Sequence, residues 1–154
     1  MPARFFTLQF LFKMKIHDAV EILLVEDNPD DAGLAIHALK KHNLANNVLH
    51  LHDGEEALTY LFSHERTSIP KVILLDLKMP KVDGIEVLRK LKSDERRKVI
   101  PVVVLTSSRE DRDILEAYQL GVNAYIVKPV DFDQFVKAIG EIGLFWLMLN
   151  QAPK

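Results

Sequence analysis

Four apolar runs in this sequence each end in a polar residue that could take part in chemistry. Glu26 and Asp27 follow one run, Asp76 follows a second, Thr106 ends a third and Lys128 follows a fourth. A carboxylate at the end of a buried strand, such as Asp76, can act as a nucleophile and form an acyl phosphate. Clustered carboxylates repel one another unless a cation joins them, and hard oxygen ligands suit Mg²⁺. The sequence therefore predicts a Mg²⁺ site beside a phosphoryl acceptor, with a lysine that balances the charge of the phosphoryl oxygens.

The same runs predict the elements that hold these groups. Short continuous apolar runs are typical of parallel strands that are covered on both faces, and Val48–Leu51 brings their number to five. Between the runs, apolar residues recur at helical spacing, as at Ala32, Ala35, Ile36 and Leu39. We therefore predict an α/β fold, a doubly wound five-stranded parallel sheet with helices on both faces. Flavodoxin-like sheets of this kind have the order 2-1-3-4-5 and bind ligands beyond the carboxyl ends of their strands.

These motifs resemble those of the receiver domains of two-component response regulators, in the same order and at similar spacing. The resemblance covers residues 21–150 and rests on Glu26-Asp27, Asp76 with Met79-Pro80 and Asp83-Gly84, Thr106-Ser107, and Lys128-Pro129. It implies one receiver domain, which accepts a phosphoryl group from a sensor histidine kinase and signals through a change of its surface. Such a protein is not an enzyme in the usual sense, because it catalyses only its own phosphorylation and dephosphorylation. We expect no output domain.

The resemblance also assigns the metal site. By the resemblance, Asp76 is the residue expected to be phosphorylated. Asp27 and Asp76, with the backbone carbonyl of Lys78, hold Mg²⁺, and Glu26 acts on the ion mostly through water. These assignments are expectations for the structure.

The remaining roles concern the phosphoryl group and the switch. By the resemblance, Lys128 and Thr106 contact the phosphoryl oxygens, and Thr106 and Tyr125 form the switch pair. A cis peptide bond between Lys128 and Pro129 is expected to aim the lysine at the site. Recruitment of Thr106 by the phosphoryl group would pull the loop after the fourth strand inward, and Tyr125 would turn into the vacated space.

A finer resemblance is to stand-alone receivers that serve bacterial phytochromes. It rests on the sequence of residues 76–84, on the loop Lys92-Ser93-Asp94-Glu95 and on Phe145-Trp146-Leu147. It implies a phytochrome-type kinase as partner and a cytoplasmic location, where kinases of this class present their phosphohistidine. We also expect a homodimer through the fourth helix, the fifth strand, the fifth helix and the apolar C-terminal segment.

Composition gives no support for nucleic acid or an anionic membrane as a partner. The chain has 154 residues, a net charge of -2 and no cysteine. Its length favours one domain, and its charge gives no electrostatic reason for nucleic acid binding.

Residues 1–20 are an apolar extension, and its apolar part is too short for a membrane span. It is extra sequence ahead of a start at Met14, a segment that packs on the apolar C-terminus, or an interfacial anchor, and its few basic residues disfavour the anchor. Residues 144–149 either fold back as core or are covered by a partner.

Alternative interpretations use the same residues differently. Asp76 could belong to a haloacid-dehalogenase-like phosphatase, but that family has a second acid at the position of Lys78. A receiver-like interaction module that is never phosphorylated is the other alternative. Capping or surface roles are expected for five further acids, Asp30, Asp31, Asp53, Asp131 and Asp133.

Overall fold

The computed structural model describes residues 20–63, 69–129 and 131–151. Its strands are β1 (Ile22–Val25), β2 (Val48–Leu51), β3 (Val72–Leu75), β4 (Val102–Thr106) and β5 (Ala124–Val127). They form one five-stranded sheet in the order β2-β1-β3-β4-β5, and every neighbouring pair is parallel. The predicted strand number, direction and order are confirmed. Residues 1–19 of the predicted extension lie outside the described residues.

Five α-helices alternate with the strands in the described parts of the chain. They are α1 (Pro29–Lys41), α2 (Gly54–Leu61), α3 (Gly84–Lys92), α4 (Asp111–Gln119) and α5 (Phe132–Leu144), and a π-helical turn (Phe145–Leu149) continues α5. None of the helices in the described ranges is long and apolar enough to cross a membrane.

The apolar runs form strands because both of their faces are covered. Successive side chains point to opposite faces, so Leu23 and Val25 of β1 join the core beneath α2, α3 and α4, whereas Ile22 and Leu24 join the core beneath α1 and α5. All residues of β1 to β4 are buried, and those of the edge strand β5 are half-buried. This two-sided burial is what the continuous apolar runs predicted.

Side-chain caps fix where the helices begin. Asp53 accepts a hydrogen bond from the Glu56 amide, and Asp131 accepts one from the Gln134 amide, so the predicted capping roles of both acids are confirmed. Asn28 caps α1 by accepting from the amides of Asp30 and Asp31. Because each helix begins directly after the loop that follows a strand, its first turn lies at the carboxyl edge of the sheet.

The apolar C-terminal turn is partly core and partly surface. Trp146 and Leu147 are half-buried against the core beneath α1 and α5. Phe145, Met148 and Leu149 are 48%, 68% and 76% exposed. The sequence left open whether this segment folds back or is covered by a partner; in the described chain one side folds back and the other remains exposed.

Candidate functional site

The carboxyl ends of β1 and β3 bring three acids together. Val25 pairs with Leu75, so the residues that follow them, Glu26 and Asp76, lie side by side. One carboxylate oxygen from each of Glu26, Asp27 and Asp76 lies within 4.8 Å of the others. Glu26 and Asp76 are buried, while Asp27 faces solvent. A set of hard oxygen ligands that is open to water on one side fits Mg²⁺, which keeps several of its own waters.

The protonation of Glu26 shows why this cluster needs a cation. Burial raises the pKa of Glu26 to about 8, and the hydrogen bond and negative charge of Asp76 add to the increase, while Lys128 opposes it. A buried acid next to another acid takes up a proton because ionisation is costly there. A divalent cation would replace that proton, so the site suits metal binding.

Lys128 places a positive charge at the acidic cluster. Its Nζ donates to Asp31 Oδ2 at 2.7 Å, lies 3.4 Å from Asp76 Oδ2 and also donates to Glu26 Oε1. Burial lowers the pKa of Lys128, but the hydrogen bonds with Asp31 and Glu26 and the nearby negative charges outweigh burial and raise it. The lysine is therefore a permanent cation beside the Asp76 carboxylate.

The expectation of a cis bond before Pro129 is wrong for this structure. The described residues contain no cis peptide bond, so the Lys128–Pro129 bond is trans. The trans form is the lower-energy form of a bond before proline. The Lys128 amide donates to the Thr106 carbonyl oxygen at 2.8 Å, and from this backbone the side chain already reaches the acids.

The turn after β3 holds Asp76 closely. The Lys78 amide donates to Asp76 Oδ1 at 3.3 Å, and the Gly84 amide donates to the Leu77 carbonyl oxygen at 3.0 Å. A Cβ at position 84 would stand 2.4 Å from the Asp76 carbonyl oxygen, so only glycine fits there. Asp83 then caps α3 by accepting from the Glu86 amide. The assignment of the Lys78 carbonyl as a metal ligand stays a prediction.

The predicted switch residues lie on the other side of Asp76. Thr106 is completely buried, and its hydroxyl accepts from the Ser108 amide at 3.4 Å. The half-buried Tyr125 donates its hydroxyl to the Ser108 carbonyl oxygen at 3.0 Å, and burial raises the pKa of Tyr125. Both predicted partners therefore form a hydrogen bond with Ser108 in the short loop after β4.

Two acids at this edge were missed by the sequence reasoning. Asp31 was expected to cap a helix or lie on the surface, but Asn28 is the cap and Asp31 forms an ion pair with Lys128. Asp113, in the first turn of α4, accepts from Ser108 Oγ at 2.5 Å and pairs with Lys78 at 3.1 Å. The available signal was position, because both acids lie in first turns of helices that begin at the carboxyl edge of the sheet.

Comparison with known proteins decides the family. The sequence matches the response regulator receiver domain family over residues 22–140. The chain belongs to the response regulator receiver family. Membership confirms the predicted resemblance. Receiver domains bind a divalent metal, and the acidic cluster at β1 and β3 fits a Mg²⁺ site.

Similar proteins include stand-alone receivers. The chain is 43% identical over 142 residues to the probable methanogenesis regulatory protein FilR2 of Methanothrix harundinacea, covering 91% of this chain and 92% of that protein. It is 40% identical over 135 residues to response regulator Rcp1 of Synechocystis sp., covering 86% and 92%.

Solved structures agree with these relatives. The Mn²⁺-bound form of Rcp1 superposes with a TM-score of 0.80 at 38% identity, over 88% of this chain and 99% of that chain. The phosphorylated cyanobacterial phytochrome response regulator RcpA superposes with a TM-score of 0.81 at 41% identity, again over 88% and 99%. These sequence and structural similarities confirm the predicted resemblance to phytochrome-associated receivers.

Proposed function

We propose that this receiver accepts a phosphoryl group on Asp76, with Mg²⁺, from the phosphohistidine of a sensor histidine kinase. The observation that carries the proposal is the placement of Asp76, which lies at the end of a buried strand between two further acids and Lys128. A bound Mg²⁺ would neutralise the charge that develops on the phosphoryl oxygens. In the transfer, the bond from the histidine nitrogen to phosphorus breaks as an Asp76 oxygen bonds to phosphorus, and the freed imidazole takes up a proton.

Each neighbouring residue has a role in this reaction. The Lys78 amide orients the acceptor through its hydrogen bond to Oδ1, and Lys128 lies close enough to Oδ2 to contact the oxygens of the new phosphoryl group. Asp27 and the Lys78 carbonyl, with Asp76, are the proposed metal ligands, and Glu26 acts on the ion through water. The protein catalyses its own phosphorylation and dephosphorylation only.

The decisive experiment is intact mass after incubation with acetyl phosphate and Mg²⁺. We expect one phosphate adduct on the wild-type protein, no adduct on Asp76→Asn and none in EDTA. Asp83→Asn is the matched control, because Asp83 follows the same strand but caps α3. Absence of the adduct, together with failure to bind beryllofluoride, would favour the alternative of an interaction module that is never phosphorylated.

We propose that the signal leaves the site through the loop after β4. A phosphoryl group on Asp76 recruits the Thr106 hydroxyl, which now accepts from the Ser108 amide. Movement of that loop would break the hydrogen bond from Tyr125 to the Ser108 carbonyl and let the ring turn inward. Thr106→Ala should still take the phosphate but lose the shift of Tyr125 resonances on phosphorylation. A full shift in Thr106→Ala would contradict this route.

The surface that would change carries exposed apolar side chains. Leu115 and Tyr118 of α4 are 59% and 50% exposed, and Phe132 of α5 is 48% exposed. We propose a homodimer that uses α4, β5, α5 and the C-terminal turn, because this turn also exposes Phe145 and Met148. Light scattering with and without beryllofluoride tests it. A monomer under both conditions at high protein concentration would count against the dimer.

We propose that the partner is a phytochrome-type histidine kinase in the cytoplasm. The support is the similarity to RcpA, which is a phytochrome response regulator, over 88% of this chain. Phosphotransfer from a purified phytochrome kinase should outpace transfer from an unrelated histidine kinase. Equal rates from both kinases would remove the reason for this assignment.

The phosphatase alternative is weakened by the side chain of Lys78. Catalysis of that kind uses an acid two residues after the nucleophile, and here a lysine points away to contact Asp113. A receiver that holds its phosphate for signalling is the better fit.

A further inference from the structure

The C-terminal turn leaves an apolar surface open to solvent. Its exposed side consists of Phe145, Met148 and Leu149, and Leu144 at the end of α5 is also exposed. Trp146 is half-buried on the other side, and its ring meets that of Phe145 edge to face, with 5.0 Å between the ring centroids. Exposed apolar side chains that adjoin one another usually mark a surface that another segment or molecule covers.

The first described residues lie at the same edge of the sheet as this turn. A helix that follows a parallel strand runs back along the sheet, so α5 ends at the edge where β1 begins. The amides of Glu21 and Ile22 both donate to the Asn47 carbonyl oxygen, at 2.9 and 3.2 Å. Leu44 packs on the end of α5, because a Cβ at Gly143 would stand 2.8 Å from Leu44 Cδ1. Leu44 and Asn47 are three residues apart and thus at most about 11 Å from each other, so β1 begins close to the base of the turn.

An apolar segment of the sequence comes shortly before β1. Residues 13–19 separate it from the described chain, and seven extended residues reach about 23 Å. The segment can therefore reach the turn without any change in the fold. It spans residues 5–12 and contains six large apolar side chains, Phe5, Phe6, Leu8, Phe10, Leu11 and Phe12.

Charge favours the C-terminal turn over other exposed apolar side chains at this edge. The last turn of α5 has no basic residue and carries the exposed Glu141, and the carbonyl end of a helix is itself negative. Lys13 and Lys15 directly follow the apolar segment and supply the complementary charge. Val99 is exposed as well, but it follows the basic residues 96–98, which would repel these lysines.

We infer that residues 5–12 cover the exposed side of the C-terminal turn of the same chain. Their phenylalanine and leucine side chains replace water over Phe145 and Met148, and Lys13 lies near the negative end of α5. The proposed homodimer uses the same turn, so the segment and a second copy compete for it, and the segment weakens dimerisation. This effect on dimerisation rests on the proposed homodimer, whereas the contact itself does not.

The fluorescence of Trp146 tests the contact directly, because the chain has one tryptophan. Acrylamide, a neutral quencher, is added to the full chain at several protein concentrations. Phe6→Ser combined with Phe10→Ser should raise the quenching constant about twofold, because serine removes apolar surface that holds the segment on the turn. The quenching constant of the wild type should not change with protein concentration, since the cover belongs to the same chain.

The matched control is Thr7→Ser combined with Gln9→Ser, which changes two polar residues of the same segment. It should leave the quenching constant at the wild-type value. Far-UV circular dichroism should be the same for all three proteins, which excludes unfolding as the cause of increased quenching. In light scattering, the variant with Phe6→Ser and Phe10→Ser should form dimers at a lower concentration than the wild type.

Two results would overturn the inference. Equal quenching in the wild type and in the variant with Phe6→Ser and Phe10→Ser would show that the segment does not cover Trp146. Quenching that falls with rising protein concentration, equally in both proteins, would place a second copy on the turn instead of the segment. Increased quenching in a variant that stays monomeric supports the contact and counts only against the proposed homodimer.

Discussion

Replacement of Lys128 by methionine tests how the charges at the site are balanced. Methionine keeps most of the apolar stem but removes the ammonium, which now contacts Glu26, Asp31 and Asp76. The Lys128 side chain is 11% exposed and that of Glu26 is 4% exposed, so solvent compensates little for the lost charge. The change leaves three carboxylates close together with no cation.

The size of the effect follows from the contacts that are lost. Hydrogen bonds to charged groups contribute roughly 1.5–3 kcal/mol each, and Lys128 donates at short range to Asp31 and Glu26. Proton uptake by Glu26 offsets part of the loss, since burial already raises the pKa of Glu26 to about 8. We expect the free energy of unfolding in EDTA to fall by about 2–4 kcal/mol, which lowers the Tm by roughly 5–15 °C.

The assay is urea and thermal unfolding followed by circular dichroism, in EDTA and in saturating Mg²⁺. Mg²⁺ should stabilise Lys128→Met more than it stabilises the wild type, because the variant has no ammonium to neutralise the carboxylates. The difference between the two proteins should therefore shrink when Mg²⁺ is present.

The control is Lys71→Met, which removes a lysine from an ion pair with Glu21 in which both side chains are more than one-third exposed. An exposed pair of this kind is worth about 0.2–1 kcal/mol. The reasoning is refuted if Lys128→Met costs no more than Lys71→Met, or if Mg²⁺ leaves the difference unchanged.

Three further predictions concern the metal, the turn and the last helix. Because the pKa of Glu26 is raised from 4.5 to about 8, a proton opposes Mg²⁺ below that pH, so Mg²⁺ affinity measured by titration calorimetry should rise from pH 6 to 8. Glu26→Gln should flatten this rise, and an unchanged slope would exclude Glu26 as its cause. Gly84→Ala forces a Cβ to within 2.4 Å of the Asp76 carbonyl oxygen. It should therefore lower the free energy of unfolding by about 1–3 kcal/mol and slow phosphorylation from acetyl phosphate. A wild-type free energy of unfolding and a wild-type phosphorylation rate would contradict the steric argument. Asp131→Ala removes the cap of α5 and should lower the free energy of unfolding, measured in urea, by about 1 kcal/mol. Asp133→Ala removes no cap and should lower it less. Equal losses in the two variants would refute the capping role.

The fold could be predicted from the sequence because the described strands are short and largely apolar, and β1 to β4 are buried on both faces. Residues that directly follow a strand, such as Asp76 and Lys128, were also predictable, since the end of a parallel strand fixes which edge of the sheet they occupy. Asp31 and Asp113 were not predictable in the same way. Both belong to helices, and whether a first-turn side chain faces the site depends on the rotation of the helix, which tertiary packing sets.

The bond before Pro129 shows a second limit. The motif predicted a cis bond, but the structure places the lysine at the acids from a trans bond. Likewise, the sequence suggested that Thr106 and Tyr125 act together, yet the Ser108 backbone that connects them is an ordinary loop segment. Any residue type can make these backbone hydrogen bonds, so the sequence does not reveal which residue connects Thr106 to Tyr125. The three-dimensional structure is needed to find it.

The pair between Lys128 and Glu26 joins residues 102 positions apart, which follow β5 and β1, the last and first of the described strands in chain order. During synthesis, a chain that has not yet made β5 therefore holds its acids without their internal cation. Contacts between residues so distant in sequence form late, after the intervening chain has been ordered. Competence for phosphate transfer should therefore appear only when the whole sheet is assembled, so a kinase would pass its signal to finished molecules and bypass nascent or truncated ones.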